Sequence, residues 1–184
     1  MYKDAIALLD KAIEINPSYT GAYINRGTDK SAIGDFQGAI ADYKIALNID
    51  TGNTMALYNI GNNFMNIDKF GKAVQYYTKA LKSKGSIEWV PNPFVQINSF
   101  DVPKSDILFQ RAKAYYSIDS FKLAFMDFNA VLDNGNYISD CYYWIGYIYL
   151  QYGQIIFACE SFRKSKTMGN SEAAIELEKY CSRQ

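Results

Sequence analysis

The nucleophiles of this 184-residue chain have no histidine beside them to make them act. The cysteines are Cys141, Cys159 and Cys181, an odd number at spacings of 18 and 22 with no Cys-x-x-Cys pair. That pattern argues against a zinc site or a disulfide framework and for small apolar residues packed inside helices. Histidine is absent, which removes the commonest general base and the commonest nitrogen ligand for a metal. No glycine-rich phosphate loop, Gly-x-Ser-x-Gly motif or paired-carboxylate constellation occurs. The chemistry left is recognition. Amides can pair with the backbone of an extended peptide, and aromatic rings can hold its side chains. No enzyme activity, cofactor or metal is expected.

Two stretches concentrate the rings. Wound as a helix, 139–152 is apolar on one side through Tyr142, Ile145 and Tyr149, and on the other through Tyr143, Trp144, Tyr147 and Leu150. A helix that is apolar all round is normally covered all round. Residues 86–104 cannot form a continuous helix, because Pro91, Pro93 and Pro103 interrupt them. Yet they carry Trp89, Val90, Phe94, Val95, Ile97 and Phe100, too apolar for a disordered loop. One reading packs this segment against neighbouring helices. The other makes Trp89 and Phe94 contacts to a partner, with the stretch from Trp89 to Phe100 covering part of the binding face.

Charge excludes other partners. Lys plus Arg and Asp plus Glu are both 19, so a neutral chain has no general pull toward nucleic acid or an anionic membrane. No charge falls between Cys141 and Cys159, a length that could cross a bilayer, but five tyrosines and a helix break near Gly153 argue against a span. The N-terminus lacks the apolar core of a signal peptide, so a cytoplasmic location is expected.

The elements that must position these residues recur at a fixed step. Tyr23-x-x-Arg26-Gly27 is echoed by Leu57-x-x-Ile60-Gly61, Leu108-x-x-Arg111-Ala112 and Tyr142-x-x-Ile145-Gly146. The small residue advances by 34, by 51 and by 34, the middle step holding 17 extra residues. Ala39, Ala73, Ala124 and Ala158 keep the same time, with Phe36, Phe70, Phe121 and Ile155 three residues ahead of them. Two rulers with one period mean stacked helical hairpins. Turn signals such as Gly34-Asp35 and Asn134-Gly135-Asn136 separate helices expected over 2–15, 20–33, 36–49, 54–67, 70–83, 105–118, 121–132, 139–152, 154–167 and 171–181. Glycine or alanine in one helix opposite Tyr43, Tyr77, Phe128 or Phe162 in the next lets each pair cross closely.

The pattern resembles the tetratricopeptide repeat family, whose signature runs aromatic-x-x-Leu-Gly-x-x-Tyr, then Ala-x-x-x-Phe, then Pro. The resemblance implies an all-α, right-handed superhelical solenoid in a single domain. Its parts are a half repeat over 2–17, repeats at 20–53, 54–85, 105–136 and 139–170, a non-helical insertion over 86–104, and a capping helix over 171–184. Lys30 stands where an aromatic is expected, which predicts looser packing there. The resemblance also implies that first helices line a concave groove. Helical spacing then places Asn25 in it from the first repeat, and Tyr58, Asn59 and Asn62 from the second. Phe109, Gln110 and Lys113 follow from the third, and Tyr143, Trp144 and Tyr147 from the fourth. Some family members hold a peptide carboxylate with a Lys, Asn, Asn, Lys, Arg clamp. Here Ile24, Thr28, Asn59, Asp106 and Gln110 match those positions and only Asn59 agrees, so that mechanism is not expected. The expected function is a non-catalytic scaffold or adaptor binding a peptide or protein segment in this groove. The alternative is self-assembly into a homo-oligomer through repeat ends or the insertion.

Overall fold

The computed structural model describes residues 1–88 and 100–182. The described helices are α1 (Tyr2–Ile15), α2 (Thr20–Ala32), α3 (Phe36–Ile49), α4 (Thr54–Asn66), α5 (Phe70–Lys82), α6 (Lys104–Ser117), α7 (Phe121–Asp133), α8 (Ile138–Gln151), α9 (Ile155–Thr167) and α10 (Glu172–Cys181). Each expected helix is present, with its ends shifted by a residue or so. The fold is an all-α solenoid of antiparallel hairpins, α2 with α3, α4 with α5, α6 with α7 and α8 with α9. No described helix is long and apolar enough to cross a membrane.

Local rules set the hairpins. Four first helices end on a left-handed residue, Gly34 (φ 84°), Asp68 (55°), Asp119 (57°) and Gly153 (68°). In each case the next N–H donates back to a carbonyl five residues earlier: Asp35 to Lys30, Lys69 to Phe64, Ser120 to Tyr115 and Gln154 to Tyr149, at 2.8–2.9 Å. This closure satisfies orphan carbonyls and turns the chain directly into the second helix. Asp35 and Asn53 then cap α3 and α4 by accepting from the Gly38 and Ala56 N–H.

The small residues are where close crossing demands them. A Cβ on Gly61 would meet the Tyr77 ring at 2.5 Å, and one on Gly146 the Phe162 ring at 2.5 Å. Ala39, Ala73, Ala124 and Ala158 are fully buried, as are the large rings of Tyr43, Tyr77, Phe128 and Phe162. The described chain divides into two compact units, Met1–Ile107 and Leu108–Gln184. The first holds α1 to α5 and the start of α6; the second holds the rest of α6 through α10.

Three features depart from the sequence reading. Cys159 and Cys181 form a disulfide with their Cα atoms 5.8 Å apart, tying the last residue of α10 to α9. Spacing along the chain concealed it, because the packing of α10 on α9 brings the two together. Lys30 does not loosen its surroundings: it pairs with Asp42 at 2.9 Å, and Arg26 bridges Asp42 and Asp10 at 2.6 Å each. The insertion begins and ends as a two-residue parallel ladder, β1 (Ser86–Ile87) with β2 (Val102–Pro103), paired Ser86 to Val102 and Ile87 to Pro103. The intervening residues give the crossover length that parallel pairing requires. Lys104 to Glu88, 2.7 Å, closes the same base.

Candidate groove faces on the first helices

In unit 1 the open side of α2 and α4 is built from amides and hydroxyls. The Tyr77 hydroxyl, rooted in α5, passes through the core and donates to Asn62 Oδ1 at 2.7 Å. Tyr43 in α3 does the same one repeat earlier, its hydroxyl 3.2 Å from Thr28 Oγ1, with Asn59 also beside it. Burial raises the pKa of both phenols. Tyr58 packs on the Tyr77 ring, centroids 5.9 Å apart. Asn25 is exposed, while Tyr58, Asn59 and Asn62 are half-buried.

Unit 2 presents rings instead. Trp144 meets Tyr116 edge-on at 5.2 Å, and Tyr143 meets Tyr147 at 5.1 Å with planes 85° apart. Tyr147 also packs edge-on against Phe162, 5.5 Å away. Tyr143, Trp144 and Tyr147 are half-buried, as are Gln110 and Lys113. Phe109 differs from the expectation. It is 8% exposed and belongs to the core, stacked on Tyr137 at 4.7 Å and edge-on to Phe128. Tyr137 enters α8 with φ 52°, and its ring closes over Phe109. Lys113 covers Phe109 as well, its Nζ 5.8 Å from the ring centroid.

Trp89 and Phe94 lie outside the described residues. Phe100, at the far end of the same segment, comes within 3.6 Å of where a Gly21 Cβ would stand, on the N-terminal turn of α2. At the foot of the insertion Asn53, Leu57, Lys82, Phe100 and Asp101 line part of a cleft of about 820 Å³.

Two sets of residues escaped sequence reasoning. Arg111 holds Asp127 through Nε and Nη2 at 2.7 and 2.8 Å, the counterpart of Arg26 with Asp42. Reading the repeats as paired columns finds it: Arg26 and Asp42, Arg111 and Asp127 are charged together, whereas Ile60 with Tyr76 and Ile145 with Ser161 are not. The second set is Glu172 and Glu176 on α10, which approach the hydroxyls of Tyr143 and Tyr147. Burial, Tyr143 and Glu176 together raise the Tyr147 pKa. The signal was the register, since 172–181 stands 34 residues beyond 138–147 and so takes the place of a first helix.

A tetratricopeptide repeat profile matches residues 56–86, the α4–α5 hairpin. By sequence, that hairpin is a tetratricopeptide repeat. Tetratricopeptide repeat protein 6 of Homo sapiens is 33% identical over 66 residues, which cover 36% of this chain and 13% of that protein. The chain thus spans a small fraction of that relative's length. A crystal structure of MamA superposes with a TM-score of 0.75 over 97% of this chain and 92% of its own, at 19% identity. YrrB, described as a TPR protein with an unusual peptide-binding site, gives 0.75 over 97% and 84%, at 20% identity. At these identities both likenesses establish the fold. Arrays of such repeats serve as protein-interaction scaffolds, with extended surfaces in place of a catalytic cleft.

Proposed function

We propose that this chain is a non-catalytic adaptor that binds a peptide or protein segment on the open faces of its first helices. The observation that carries the reading is α8. Tyr143 and Tyr147 pack on the core cluster of Ala158, Phe162 and Ala173, and Trp144 on that of Phe109 and Phe128, yet all three rings stay half-buried. Large rings left partly open at a packed surface are the usual anchors of protein recognition. Asn25, Tyr58, Asn59 and Asn62 in unit 1, and Gln110 and Lys113 in unit 2, are assigned to the same role. Phe109 supports the wall from behind. The peptide-binding site named for YrrB favours the same use of the fold.

Affinity capture with the intact chain, beside a Trp144→Ala, Tyr147→Ala double variant, tests this. Proteins captured by the first and lost by the second support it. Identical captures remove the assignment. Light scattering serves the alternative: mass that rises with concentration, with no captured partner, favours self-assembly.

A further inference from the structure

The corner between α8 and α10 holds a carboxylate with one oxygen that the described residues leave without a donor. Glu176 is 9% exposed, and its Oε2 is buried without a hydrogen-bond partner among the described residues. A buried carboxylate oxygen left unpaired is costly, so such an atom marks a place for a donor. The Tyr147 hydroxyl is a hydrogen-bond partner of the Glu176 carboxylate, which leaves Oε2 as the open acceptor, and Tyr143 and Tyr147 stand with hydroxyls 3.3 Å apart and rings at right angles. Glu172, exposed, adds a second carboxylate near Tyr143.

The neighbouring cations are engaged elsewhere. Lys179 feels the charge of Glu176 but is fully exposed, with its Nζ 4.7 Å from the Tyr180 ring centroid. Lys164 pairs with Glu160 at 3.1 Å and covers Tyr142. Glu176 forms no ion pair with any described residue. Asp140, at the start of α8, accepts a 3.4 Å hydrogen bond from Asn170.

We propose that Tyr143, Tyr147, Glu172 and Glu176 form a subsite for a cationic side chain of the bound segment, an ammonium or guanidinium group. The proposal rests on the reading above that a segment lies across the first helices. A cation here donates to the Glu176 oxygen in a charge-assisted hydrogen bond and lies against an electron-rich ring face. An acidic side chain is repelled by two carboxylates. An apolar one leaves the Glu176 oxygen unpaired. This gives unit 2 a preference opposite to that of a cationic carboxylate clamp.

The test uses the full chain labelled with ¹⁵N and two peptides, acetyl-Gly-Gly-Lys-Gly-Gly-amide and its norleucine counterpart, followed by amide chemical shifts. The lysine peptide is expected to shift amides of 143–147 and 172–176 with at least tenfold tighter apparent affinity. Glu176→Gln is expected to erase that ratio while its spectrum keeps the dispersion of the parent. Equal shifts from both peptides at those amides overturn the cation assignment and leave the binding face standing. Shifts confined to α7 and α9, or none at all, overturn both. A ratio unchanged by Glu176→Gln removes Glu176 from the subsite. The comparison within the parent protein stands on its own if that variant does not fold.

Discussion

The two units solve one packing problem with different chemistry. In unit 1 the large residue facing each glycine is a tyrosine, and its hydroxyl reaches through the core to Thr28 or Asn62 on the open side. In unit 2 the same positions are Phe128 and Phe162, which donate nothing, and the open side is finished by rings and by the carboxylates of α10. A single hydroxyl at the core thus accompanies a polar wall in one unit, and its absence an aromatic wall in the other. Each unit also carries one buried arginine–aspartate clasp, heavier in unit 1, where Asp42 holds both Arg26 and Lys30.

The sharpest way to break this comparison is at the clasps. Asp42→Ala takes a carboxylate 3% exposed away from both Lys30 and Arg26, leaving Arg26 only Asp10, and about 3–5 kcal/mol of stability should be lost. Asp127→Ala removes one ion pair at a site 11% exposed and should cost less. Denaturant unfolding of both variants measures the difference, and equal losses would mean that Lys30 contributes nothing.

Next in size is the disulfide, a constraint confined to unit 2. Reduction or Cys181→Ser should remove about 3 kcal/mol for a loop of 22 residues. Thiol counting checks its presence: the denatured, unreduced chain should show one reactive thiol, Cys141. Three would dismiss the bond.

Exchanging the core rings should cost stability whichever way the hydroxyl moves. Tyr77→Phe breaks the bond to Asn62 and should cost about 1 kcal/mol. Phe162→Tyr buries a hydroxyl facing the Tyr147 ring and should cost about 1–3 kcal/mol unless it finds a partner. Thermal or denaturant unfolding reads both.

The smallest effect is in alkali. Burial pushes the Cys141 thiol up to about 12 and raises the Tyr43 and Tyr77 phenols. The unfolded chain releases these protons at ordinary values, near pH 8.5 and 10, and the folded chain holds them. Stability should therefore be level below about pH 8 and fall as pH rises through that range and beyond. Tyr77→Phe should flatten the upper part of that fall in a stability–pH profile.

The fold was legible because one local device recurs. A glycine or alanine opposite a large ring every 34 residues leaves little choice but closely crossed hairpins, and the left-handed residue closing each first helix repeats with them. Exposure on the first helices was partly legible, since Tyr58, Asn62, Tyr143, Trp144 and Tyr147, turned away from the hairpin partner by helical spacing, are half-buried. Phe109 was not, because the residue that buries it, Tyr137, acts through a turn geometry invisible to helical spacing. Glu176 was hidden by treating α10 only as a cap, and the disulfide because its partners meet through the packing of two helices. The ion pairs needed repeats compared as pairs of columns, a signal present in the chain but absent from any single position.

The central claim is that the open faces of the first helices bind the partner. Hydrogen–deuterium exchange of the full chain, alone and with a captured partner, tests it most directly. Protection should concentrate in α2, α4, α6, α8 and α10, strongest around 143–147. Protection confined to α3, α5, α7 and α9 would contradict it.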